Sequence, residues 1–184
     1  MTLLAKLATQ LNNFVSLHPE QHEPVTHMLE LLTHGRSAFS RSFLPGHFTA
    51  SCWLVDHTAH HALLTHHKKL NRWLQLGGHA DGDTDLAAVA MKEAHEESGL
   101  LHLSLEDDAA IFDVDIHTIP ARGAEPEHLH FDVRYLVRNT QSEALVISDE
   151  SHALAWVPIT SLLDESVEES IRRMAQRFVR RPAS

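Results

Sequence analysis

Gly78–Leu100 reads GHADGDTDLAAVAMKEAHEESGL, a glycine-led start followed by a stretch that carries Glu93, Glu96 and Glu97. Spacings of three and four residues place these three carboxylates on one face of a helix, where like charges repel unless a cation lies among them. Clustered oxygen ligands suit Mg²⁺ or Mn²⁺. Mg²⁺ in particular completes its shell with water and substrate phosphate, so the pattern points to chemistry on a phosphate compound. The helix is expected over about residues 85–98, stopped by Gly99 in the left-handed conformation that ends many helices. Ala87, Ala90 and Ala94 form a small-residue seam beside the glutamates that lets the helix lie close to a sheet.

The same stretch resembles the Nudix box, the signature of the Nudix hydrolase superfamily, written G-x5-E-x7-R-E-U-x-E-E-x-G-U with U an aliphatic residue. Gly78, Glu93, Glu96, Glu97, Gly99 and Leu100 fall on the pattern without a gap. Three positions depart from it. Thr84 stands at the first glutamate, Lys92 at the arginine and Ala94 at the first aliphatic. A lysine keeps the charge but not the bidentate fork that fixes a carboxylate in one orientation. Thr84 lies at the expected helix start, where a hydroxyl can cap exposed N–H groups, and Asp83 or Asp85 can supply the lost charge. Upstream, residues 48–55 and 61–65 read as two strands. The second leads through Leu74-Gln75-Leu76 into a Gly77-Gly78 turn.

The chain has 184 residues, enough for one domain with a substantial core, and its 43% hydrophobic and 22% charged content is that of a globular protein. A lone cysteine, Cys52, rules out an internal disulfide. No apolar run suggests a membrane span, and Lys6, Gln10, Asn12 and Asn13 break the N-terminal one, so a cytoplasmic location is expected. The net charge of −10 argues against a nucleic-acid surface. An anionic polyphosphate substrate then needs local cations. The metals are one source; Lys68 and Arg72, with Lys69, are another.

Residues 3–14 and 24–34 are expected to be helical, forming an N-terminal extension over residues 1–40 ahead of a domain over 41–184. Val25, Met28, Leu29 and Leu32 give the second helix an apolar stripe. It must cover either the chain's own core or a second subunit, which leaves a homodimer open. Strands are expected at 111–119, 129–137 and 154–157, with a closing helix over 166–180. The resemblance implies that these elements form an α/β/α sandwich around a mixed β-sheet.

Histidine is abundant, at seventeen residues. In His128-Leu129-His130-Phe131-Asp132-Val133-Arg134-Tyr135, strand alternation puts His128, His130, Asp132 and Arg134 on one face and the apolar residues on the other. The polar face is a candidate lining for a substrate pocket, balanced by the alternative of a wet strand face. A closed metal site there is not expected. Alternate residues of one strand stand roughly 6.5–7 Å apart, and a guanidinium in their midst repels a cation.

Similarity to the superfamily implies attack of water on phosphorus in a nucleoside diphosphate linked to another moiety. It implies Mg²⁺ or Mn²⁺ held by Glu93 and Glu97, with help from Glu96 and the Gly78 carbonyl. The general base is expected to be a box glutamate, Glu96 or Glu97, or a carboxylate of a later loop, where Asp149 and Glu150 stand. The proline that follows the box in many ADP-ribose-cleaving members has no counterpart, its place being taken by Ile116. The H-L-H-F-D-V-R-Y strand is similar to one in bacterial members whose substrates the sequence does not assign. Two other readings are an isopentenyl-diphosphate isomerase, which needs a catalytic cysteine in the glycine turn, and a silent nucleotide-binding regulator.

Overall fold

The computed structural model describes residues 2–68, 71–146 and 151–181. Its first helix, α1, spans Leu3–Leu17 and is capped by the Thr2 hydroxyl, which accepts from the Ala5 N–H at 3.2 Å. The second, α2, spans His22–Leu32. It begins two residues before Pro24, which the first turn tolerates because an N–H there has no helical partner anyway. The apolar stripe of α2 is satisfied within the chain: Val25, Met28 and Leu31 are buried in the same core as Leu7, Leu11 and Phe14 of α1.

Strand β1 (Gly46–Val55) runs parallel to β7 (His128–Asn139) through the middle of a mixed sheet. Two strands share the free edge of β1. These are β2 (His61–His67), paired at its start, and β4 (Leu76–His79), paired antiparallel over Thr49–Cys52. Two more share the other edge of β7: β5 (Leu103–Leu105) and β6 (Ile111–Ile119). Strands β3 (Arg72–Leu74) and β8 (Ser151–Pro158) flank β2. The expected Gly77-Gly78 turn is in fact β4.

Helix α3 (Leu86–Ser98) packs on one face of the sheet together with α1 and α2, while α4 (Glu169–Val179) covers the other. Phe131, Val133, Tyr135 and Val137 of β7 point to the α3 side; Leu136 meets Ile171, Met174 and Ala175 of α4. Both faces of β7 are therefore covered, so the wet strand face admitted by its alternation does not exist at Asp132 or Arg134, which are 3% and 1% exposed. No helix among the described residues is long and apolar enough to cross a membrane.

Candidate active site

Helix α3 starts and stops on local signals. Asp85, rather than Thr84, caps it, accepting from the Ala88 N–H at 3.2 Å, and Gly99 ends it at φ 70°. Ala90 and Ala94 are wholly buried, which brings the helix backbone down onto β1 and β4. The two glycines of β4 complete the approach. A Cβ on Gly77 would lie 2.2 Å from the Ser51 Cβ and 2.6 Å from its Cα, so no side chain fits between β4 and β1 there. A Cβ on Gly78 would lie 2.7 Å from the Glu93 carboxylate, so the bare backbone makes room for that group.

Glu97 is buried, and its Oε1 accepts from the Gly77 N–H at 2.9 Å. Lys92 lies on the outer face of α3, 62% exposed, with its ammonium 3.6 Å from Glu93 Oε1 and 3.5 Å from Glu96 Oε2. Those two carboxylates hold the lysine proton more tightly than usual, Glu93 first. Glu96 is the most exposed of the three glutamates. The oxygens available along this seam are those of Glu93, Glu96 and Glu97 and the Gly78 carbonyl. A hard divalent ion prefers such an all-oxygen set, with water and substrate filling the rest of its shell. The residues present thus fit Mg²⁺ or Mn²⁺, the Glu93 carboxylate lying where a Gly78 side chain would be.

Other expected site residues fall differently. Asp149 and Glu150 lie outside the described residues. Lys68 and Arg72 stand where β2 turns back into β3, Arg72 exposed. Asp132 and Arg134, expected to face substrate, are instead enclosed in an ion network. Arg134 Nε donates to Asp132 at 2.8 Å, and its terminal nitrogens reach Asp113 and Asp115 at 3.2 Å. Arg173 of α4 meets Asp113 and Asp115 at 2.9 Å, and Arg177 meets Asp113 at 3.2 Å. Thr49 and Ser51 donate to the Asp132 carboxylate. Burial alone would raise the Asp115 pKa. Its hydrogen bond with His117 and the charges of Arg134 and Arg173 outweigh that and hold it well below the usual range. Arg134 is committed to its three carboxylates.

Beyond this network, toward the start of β1, the same face carries imidazoles. His47 of β1 lies in register with His130 of β7, which in turn lies beside His117 of β6. His79, the last residue of β4, pairs with Thr49. Ring centroids are 5.0 Å apart for His47 and His130, 4.9 Å for His79 and His130 and 5.3 Å for His47 and His79. His128, expected to meet substrate, is 3% exposed. Burial pushes the His79 pKa down to about 4 and that of His130 to about 2, with neighbouring imidazoles adding to both. His47 is lowered by burial too. Sequence reasoning began the first strand at Phe48 and so missed His47. The alternation His47, Thr49, Ser51 opposite His130, Asp132, Arg134 was the available signal.

The match to known proteins agrees with this architecture. The model of the NUDIX domain matches residues 45–178. A NUDIX-family hydrolase from Clostridium perfringens shares 25% identity, with 72% of this chain and 96% of that one covered and a TM-score of 0.50. A C. elegans Ap4A hydrolase in a binary complex superposes with a TM-score of 0.57 at 15% identity, covering 72% of this chain and 94% of that one. The E. coli dihydroneopterin triphosphate pyrophosphohydrolase gives a TM-score of 0.56 at 15% identity, with 72% and 94% covered. No curated protein matches the chain. The matched segment takes in the whole box and every strand among the described residues, leaving α1 and α2 before it, and the chain belongs to the NUDIX family of hydrolases.

Proposed function

We propose that this chain is a metal-dependent pyrophosphohydrolase that uses water to cleave a phosphoric anhydride bond in a nucleoside diphosphate linked to another moiety. The observation that carries the reading is the seating of α3 on β4, where the Gly77 N–H fixes Glu97 and the missing side chain of Gly78 admits Glu93. Glu93, Glu97, Glu96 and the Gly78 carbonyl would hold Mg²⁺ or Mn²⁺. Such an ion would polarise phosphoryl oxygens, make water a better nucleophile and offset charge on the phosphate group that leaves.

The chain's own groups do the rest. Gly77 keeps one Glu97 oxygen in place without an ordering cost at the moment of reaction. Lys92 spans Glu93 and Glu96 and limits how far they swing apart. Glu96, facing solvent, is the box carboxylate placed to take the proton of the attacking water. Lys68 and Arg72 at the β2–β3 turn supply positive charge for substrate phosphates in a protein of net charge −10. The names of the Ap4A and dihydroneopterin triphosphate enzymes are in keeping with a polyphosphate substrate. Cys52 lies on β1, fully buried, away from the position an isomerase needs.

The test is release of phosphate or nucleoside monophosphate from a small panel of nucleoside diphosphate derivatives, with and without Mg²⁺ or Mn²⁺. Turnover should require the ion. Glu97→Gln, whose amide oxygen can still accept from Gly77, should lose on the order of 10²-fold or more. Undiminished activity in that variant would sink the assignment. Nucleotide binding without turnover on any substrate would make the chain a binding protein.

A further inference from the structure

We propose that His47, His79 and His130 form a three-histidine site for a transition-metal ion, Zn²⁺ being the natural probe, on the face of the sheet opposite the box glutamates. The site is independent of the hydrolytic reading. One ligand atom from each ring can be chosen so that all three lie within 4.8 Å of one another. Nitrogens around one tetrahedral zinc stand roughly 3.4 Å apart, so closure takes small side-chain rotations. Alternate residues of a single strand are too far apart to share an ion. These ligands come from three neighbouring strands, β4, β1 and β7, and converge across them.

His47 supplies the second, independent observation. It is 0% exposed, and neither of its ring nitrogens has a hydrogen-bond partner. The Phe43 backbone lies beside the ring and favours its protonated form, yet no hydrogen bond is completed. A buried polar group left in this way costs about 1–3 kcal/mol, and a coordinated ion removes part of that cost. His79 and His130 are only half-buried, which gives an ion a route in. Packed on one another, the three rings disfavour protonation, and neutral imidazole is the form that ligates.

The surroundings suit a cation. Arg41, the guanidinium that bears on His79, is held by both oxygens of Asp81 at 2.6 Å, so its charge is countered. His128 donates from Nδ1 to the Pro126 carbonyl at 2.9 Å, which fixes its ring, and its Nε2 lies 3.3 Å from His130 Nε2. That contact orients the His130 ring, as groups behind a metal ligand do. Three imidazoles prefer zinc, nickel or copper over magnesium, whereas the box oxygens prefer the reverse. Alternation along β4 turns Gly78 and His79 to opposite faces, so the two sites differ in both place and chemistry.

The experiment is equilibrium dialysis of the chelator-stripped full chain against Zn²⁺ in a large excess of Mg²⁺, with bound zinc measured by elemental analysis. Co²⁺ titration supplies a visible-absorption signature of the coordination sphere. Wild type and Glu97→Gln should each retain one zinc per chain. His79→Ala and His130→Ala should bind it on the order of 10²-fold more weakly and lose the cobalt band. Far-UV circular dichroism establishes that each variant is folded, with His79→Gln and His130→Gln standing in where an alanine variant is not. No stoichiometric zinc in the wild type, zinc retained by the folded histidine variants, or zinc lost in Glu97→Gln would each overturn the proposal.

Discussion

Three carboxylates converge twice in this molecule, on opposite faces of one sheet. Glu93, Glu96 and Glu97 sit along α3, the first two bridged from the solvent side by Lys92 and the third buried against the Gly77 N–H. Asp113, Asp115 and Asp132 sit on β6 and β7 under α4, interleaved with Arg134, Arg173 and Arg177. Burying charges is expensive unless each is paired and hydrogen-bonded; in the second cluster Arg134 and Arg173 meet that condition with guanidinium forks on the aspartates, while Arg177 pairs through one terminal nitrogen and leaves its Nε and Nη1 without a hydrogen-bond partner among the described residues. The first is held by a flexible ammonium that water also reaches, and its oxygens border a glycine backbone. Carboxylates neutralised by the fold serve the fold; carboxylates left at an accessible glycine seam can serve an exchangeable ion.

Breaking the buried cluster should give the largest effect on stability. Arg134→Ala removes the group that contacts all three aspartates and leaves buried charge uncompensated, a change that typically costs about 3–5 kcal/mol. Denaturant unfolding should show that loss; a change within about 0.5 kcal/mol would return Arg134 to the substrate side. The glycine seam separates the two kinds of effect within adjacent residues. In Gly77→Ala the new Cβ strikes the backbone of β1, so stability falls by about 1–3 kcal/mol or more. In Gly78→Ala the nearest neighbours of the new Cβ are the carboxylate atoms of Glu93, the end of a side chain that can rotate away. The fold should survive while turnover drops by about 10- to 100-fold, the scale of misplacing a reacting group. Equal melting temperatures for the two variants would remove the distinction.

This division also sets what the sequence could reveal. The box helix was legible because its signals are local: carboxylates at helical spacing, a cap near residue 85 and a terminal glycine. The strand expected over residues 111–119 is β6, with the same bounds, Ile111–Ile119. The glycine pair was misread as a turn because glycine marks both sharp bends and close approach, and only the neighbouring Ser51 and Glu93 tell them apart. The polar face of β7 was read as open because alternation shows which residues share a face, not what covers it. Its covering comes from α4, some forty residues later in the chain. The histidine trio needed the register of β4, β1 and β7, and pairing of that range is not written in any one segment.

Acid should weaken the buried cluster through Asp115. Its pKa in the folded state lies below the unfolded value near 3.8, so the folded state releases this proton more readily. The stabilisation is complete above that value and is lost as pH falls below about 4, because the unfolded chain then takes up the proton in preference. Asp115→Asn removes the titrating group. Melting temperatures from pH 3 to pH 6 should show wild type more stable than Asp115→Asn at pH 6, with the gap narrowing as pH drops below 4. A gap independent of pH would mean that Asp115 contributes through packing rather than charge.

The smallest effect is expected at Lys92, the position where the box departs from its usual arginine. An exposed lysine paired with glutamates on the same helix contributes at most about 0.2–1 kcal/mol to stability, and here it is 62% exposed, so little unfolding signal should follow its removal. Its role is orientation. The ammonium reaches both Glu93 and Glu96, and without it these two carboxylates repel and spread over more rotamers. Lys92→Ala should therefore shift the Mg²⁺ or Mn²⁺ titration of activity to higher concentration by a few-fold, because ordering the ligands then falls to the ion itself. Lys92→Arg should retain activity and move the titration in the opposite direction, since a planar fork holds a carboxylate more firmly than an ammonium does. Identical metal titrations for wild type and Lys92→Ala would mean that the lysine only solvates the helix, and that Gly77 and Gly78 alone set the arrangement of the box glutamates.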